Sequence, residues 1–151
     1  MKKINKIIIR HIPDYDADTS YLGEFSNTPG KYAVKHNGGS REFPYFNAEN
    51  VENMKQARQN YAEMMKINDG EIGFIGIKAE AEIVTGNDAQ KGYGLTNKIS
   101  SGGLWGIETP LDGYEKEVEA EQLDELKDLL LEFGFTENEI TKAAENYQLI
   151  Y

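Results

Sequence analysis

The stretch from Ile72 to Thr85 constrains this chain more than any other, because its side chains alternate strictly. Ile75, Ile77, Ala79, Ala81 and Ile83 fall on one side, and Phe74, Gly76, Lys78, Glu80 and Glu82 on the other. Period-two alternation is the mark of a strand with one buried and one wetted face. The two alanines on the apolar face leave room for a helix to approach closely. A sheet covered on one side by helices is therefore the first requirement.

Lys2–Ile12 reads as another strand, rich in isoleucine and stopped by Pro13. Residues 14–20 are a polar turn, and residues 26–40, with Pro29, Gly30, Gly38 and Gly39, form a loop or hairpin tip. Arg41–Phe46 is a short strand placed at a sheet edge, since Pro44 cannot donate to a central ladder. Val51, Met54, Arg58, Tyr61 and Met65 recur at helical steps and predict a helix over 49–67, ended by Asp69-Gly70. After a glycine-containing loop at 86–94, Leu95–Glu108 is expected to be one glycine-interrupted strand, antiparallel to 72–85. A long helix over 115–133 carries Val118, Leu123, Leu126, Leu130 and Phe133 on one stripe, with Gly134 suited to end it. Thr136 to Glu139 has capping-box spacing, and Ile140, Ala143, Ala144 and Tyr147 extend that last helix over 136–147. The order predicts one α+β domain over 1–151, an antiparallel sheet of about four strands with helices packed on one face.

Composition narrows the function classes. The 11% aromatic content, spread along the whole chain, argues against disorder. Without cysteine, disulfides, zinc–thiolate sites and thiol nucleophiles are excluded, and two histidines give little material for a histidine-rich metal site. No apolar run approaches the roughly 18 residues of a membrane span, and Arg10 and His11 interrupt the only apolar run near the N-terminus. A cytoplasmic protein is expected, with no membrane partner.

Charge is concentrated. Of the net −10, residues 115–151 account for −8, with eleven acidic residues against three basic. Such a surface repels phosphate and disfavours direct nucleic-acid binding. It attracts basic protein surface, including a groove that ordinarily holds nucleic acid. The acids concerned are Glu115, Glu117, Glu119, Glu121, Asp124, Glu125 and Asp128, continued by Glu132 and opposed only by Lys116 and Lys127. Acids in the first turn suit the helix dipole, but those persisting toward residue 132 do not. They are either plain solvated surface or a recognition face.

Other candidate sites are weaker. Asp14, Asp16 and Asp18 begin like a calcium loop, but its sixth and twelfth positions hold Thr19 and Phe25 instead of glycine and glutamate. A polar turn is the better reading. Glu80 and Glu82 share a face with Lys78 and read as a solvated charge ladder. His11 and His36 lack a Gly-x-Ser-x-Gly elbow to serve, so no catalytic residue is assigned. The unusual stretch is Ser100-Ser101-Gly102-Gly103-Leu104-Trp105-Gly106-Ile107-Glu108. Ser100, Ser101, Gly102, Gly103 and Trp105 could form an anion-binding nest for a small ligand or nucleotide. The preferred reading is a β-bulge that turns Trp105, the only tryptophan, into the core. No cofactor or metal is called for.

Residues 16–25 (Asp-Ala-Asp-Thr-Ser-Tyr-Leu-Gly-Glu-Phe), 74–83, 100–108 and 119–126 together resemble small acidic proteins of bacteriophages and mobile elements. The resemblance spans 16–134 and carries no catalytic residue. It implies a mobile-element context and, with it, inhibition of host defence nucleases, as in anti-CRISPR or anti-restriction proteins. Two classes follow: a non-enzymatic module that occupies a basic groove through its acidic helix, or a small-ligand domain built on 100–108.

Overall fold

The alternating strand is present and central. In the computed structural model, which describes residues 1–36 and 43–151, it is β5 (Gly73–Thr85), and it pairs antiparallel with β1 (Lys2–Pro13) along almost its whole length. Ile77, Ala79, Ala81 and Ile83 are buried and Ile75 is partly so, as the alternation predicts. In β1 the inward residues are Ile4, Ile7, Ile9 and His11, a spacing that breaks period two. A register shift between Ile4 and Lys6 absorbs the extra residue, which puts Ile4 and Ile7 on the same face.

The chain divides into two compact units, residues 1–15 with 74–151, and residues 16–73. In the first, a five-stranded sheet runs β6-β5-β1-β8, with β7 also paired to β5. Here β6 is Leu95–Ser100, β7 is Leu104–Thr109 and β8 is Gln148–Ile150. Helices α2 (Tyr114–Glu132) and α3 (Glu137–Ala144) supply Val118, Leu126, Leu130 and Ile140 to the core, with Phe135 from the connection between them. Each fully buried isoleucine or leucine contributes about 1.5–3 kcal/mol. The α+β class with helices packed on an antiparallel sheet stands.

Several expectations are corrected in this unit. Residues 95–108 are two strands rather than one, parted at Ser101–Gly103. Ser101 N–H donates to the Ala79 carbonyl (2.8 Å), and Ala79 N–H donates to Ser101 Oγ (2.9 Å). A side-chain oxygen thus replaces the next ladder carbonyl, and Gly103, at φ +83°, turns the chain away. On α2, Phe133 is half exposed, and Phe135 takes the inner place instead. The cause is the helix end. Gly134 (φ +103°) donates to the Leu131 carbonyl and Phe135 to that of Leu130, a Schellman motif that folds Phe135 back onto the core. The final helix stops at Ala144, leaving Tyr147 outside it, because the chain next joins β1 as the short parallel strand β8. The capping box at Thr136 and Glu139 is formed as expected.

The second unit sets a three-stranded antiparallel sheet, order β2-β4-β3, beside α1 (Met54–Asn68). Its strands are β2 (Gly23–Ser26), β3 (Val34–Lys35) and β4 (Tyr45–Ala48). Leu22, Phe46 and Met64 form its buried centre. The expected edge strand is in fact the middle one, β4. Pro44 lies just before it and needs no ladder donor, while its carbonyl accepts from His36 N–H. Arg41 and Glu42, and the loop glycines Gly38 and Gly39, lie outside the described residues. Helix α1 begins later than the periodicity suggests, because Asn53 caps it by accepting from Gln56 N–H. Its inner stripe is Ala57, Tyr61, Met64 and Ile67, in place of Arg58 and Met65.

Candidate functional site

Ser101 and α2 build the best-ordered polar feature. The Ser101 hydroxyl, buried, donates to Gln122 Oε1 (2.7 Å), which also accepts from Gly103 N–H (2.9 Å). Gly102 N–H donates to Glu125 Oε1 (3.1 Å), and Gly106 N–H to Asp14 Oδ2 (2.9 Å). The backbone donors that could form an anion nest are thus taken up by side chains of the protein itself. Ser100 ends β6 opposite Glu80 and is exposed. The glycine stretch works here as a latch that fixes α2 against β5. Gln122 was missed in sequence, although the signal was present: it interrupts the i, i+4 row Val118, Leu126, Leu130 with a polar residue, where a buried partner is required.

Trp105 is not in the core. It is 47% exposed, and its indole lies flat against Gly76 of β5, where a Cβ would come within 2.1 Å of Cε3. Only glycine permits this approach. Its Nε1–H donates to the Gly102 carbonyl (3.4 Å). Leu104 to Glu108, with Asp112 and Tyr114, line an open cleft of about 400 Å³ beside it.

The seven acids of the expected recognition face separate into two groups. Glu119 turns inward to His11, at 3.2 Å from Nε2, and Tyr151 packs edge-on against that imidazole. Glu115 accepts from Gly113 N–H at the helix start, and Glu125 holds Gly102. Glu117, Glu121, Asp124 and Asp128 remain, all exposed, at steps of four, three and four. That spacing makes one row along α2, opposite the buried row Val118, Gln122, Leu126 and Leu130. Among the described residues this row meets one cation, Lys127, 4.0 Å from Asp124.

The far side of the sheet is ionic, but it is not the solvated ladder expected. Glu80 is buried, with Arg10 Nε donating to Oε2 (2.7 Å) and Lys78 Nζ to Oε1 (2.9 Å). Burial pushes its carboxyl up, yet the Arg10 and Lys78 bonds and charges outweigh this and hold it below the ordinary 4.5. Both oxygens are engaged, so the group is suited to anchoring rather than to acid–base exchange. Glu82 pairs with Lys6 and Asn5. In the Asp14–Asp18 turn, Asp18 accepts from the Ser20 hydroxyl and from Ser20 N–H, which lowers its carboxyl, and Asp14 serves Gly106. No group of three or more acidic or histidine side chains among the described residues could hold a metal ion. His36 meets the Tyr61 hydroxyl (2.9 Å) inside the second unit. No helix among the described residues is long and apolar enough to cross a membrane.

Comparison with protein-family models, curated proteins and solved structures finds no match for this chain.

Proposed function

We propose that this protein is a non-enzymatic binding module that presents α2 to a basic protein surface, of the kind that otherwise holds nucleic acid. The supporting observation is the row Glu117, Glu121, Asp124 and Asp128. Its four carboxylates stand on the exposed side of a helix whose other side is latched to the sheet. A rigidly held charge row favours fast, oriented association, since its geometry is set before the partner arrives. Inhibition of a host defence nuclease by a mobile-element protein is the biological setting that this chemistry suits.

The test is the fourfold variant E117K/E121K/D124K/D128K, compared with the native protein in capture of basic proteins from a bacterial lysate. Circular dichroism should be retained, because all four side chains are exposed. Capture should be lost in the variant, and in the native protein it should weaken steeply as salt rises. Equal capture by both proteins at physiological salt would reduce the row to solubilising surface. The small-ligand reading of 100–108 has less support, because the N–H groups it needs are already bonded to Gln122, Glu125 and Asp14.

A further inference from the structure

The cleft beside Trp105 differs in chemistry from the rest of the surface. Two half-exposed aromatic rings, Trp105 (47%) and Tyr114 (48%), line it together with the carboxylates of Glu108 and Asp112, and among the described residues none that lines it is basic. The indole N–H is directed to Gly102 and the ring rests on Gly76 of β5, while nearly half of the residue stays exposed to a ligand. An aromatic face is negative at its centre, and two carboxylates beside it reinforce that sign. Tyr114 is also the first residue of α2. Glu117 lies one turn further on, so the cleft stands at the head of the acidic row.

We infer that this cleft seats an arginine side chain of the basic partner, whose guanidinium stacks on Trp105 and forks toward a carboxylate. This inference rests on the binding reading above and adds the group that the surface grips. Arginine suits the cleft better than lysine, because its planar, weakly hydrated cation can stack on an indole and bond sideways at the same time. Exposed tryptophan and tyrosine are also the residue types that most often carry binding energy at interfaces. The acidic row would then steer and align the partner, while the cleft slows its departure.

Trp105 is the only tryptophan, so its fluorescence reports on this site directly. The probe is Nα-acetyl-arginine amide, titrated into the native protein, with the citrulline analogue as its neutral counterpart of the same shape. A saturable change in Trp105 emission is expected, at least about fivefold tighter for arginine than for citrulline, and Tyr114→Ala should weaken it. Equal response to the two probes, or no saturation, would overturn the inference, and the native titration gives that answer without any variant. The neutral row variant E117Q/E121Q/D124N/D128N keeps the two readings apart. Arginine preferred in both the native protein and this variant, with lysate capture unaffected by the row changes, would support the cleft and sink the row. Capture lost in the row variant, without any arginine preference in the native protein, would do the reverse.

Discussion

Glu80 shows how a single residue can be legible in position and misread in environment. Its place on the face opposite the isoleucines follows from the alternation, but its burial does not. A buried carboxylate needs charged partners, and one of them, Arg10, comes from a strand seventy residues away, while the other is Lys78. Because its folded-state carboxyl is held below 4.5, Glu80 stabilises the fold above that pH, and the contribution disappears as pH falls through the lower folded value. Glu80→Gln should therefore cost about 1–3 kcal/mol near pH 7, and it should flatten the acid limb of stability. Denaturant unfolding measured from pH 7 down to about 3 checks both, and parallel curves for variant and native protein would contradict the assignment. The sequence alone misplaces Trp105 for a related reason. Its neighbouring glycines were legible, but the glycine that receives its ring, Gly76, lies on another strand and appears in sequence only as a gap among larger outward-facing side chains.

At the scale of elements, what was legible was whatever the local chain determines. The capping box of α3 and the Schellman glycine of α2 depend on residues a few positions apart, and both are where the sequence puts them. The inward stripe of α2 is visible too, except at Gln122, a polar residue in the buried row, and at Phe133, where the helix ends. Contacts made at a distance were not visible. One is Lys2, which reaches the Phe133 carbonyl and places its ammonium 4.6 Å from that residue's ring. It supplies a cation to a helix end whose own last turn has none. The latch is another, and it makes a definite prediction. Gln122→Leu roughly preserves side-chain volume but removes the acceptor shared by the Ser101 hydroxyl and Gly103 N–H, leaving one buried and one half-buried donor unpaired. A loss of about 1–3 kcal/mol is expected in urea unfolding. Ser101→Ala in the same background should add less than it costs alone, since the two act through one network. Full additivity would mean that the latch contributes nothing as a unit.

The whole molecule is the scale at which periodicity is least informative. Hydrophobic spacing identifies strands but says nothing of which strands pair, and here β1 pairs with β5 across an entire intervening unit, residues 16–73. The α+β class survives this because each unit repeats the same local grammar of strands and one or two covering helices. The pairing ends with Asp14 N–H donating to the Phe74 carbonyl (2.9 Å), so the two points where the chain leaves and re-enters the first unit lie side by side. For folding kinetics this means that β1 and β5 find each other quickly only if the segment between them has already drawn its ends together. An unfolded connection of that length costs roughly 2 kcal/mol more to close than a short turn, a slowing of up to about thirtyfold. Phe46→Ala, which empties the centre of residues 16–73, should therefore slow the refolding of the other unit as seen by Trp105. An unchanged rate would show that the long hairpin closes first and the intervening segment folds within its grip.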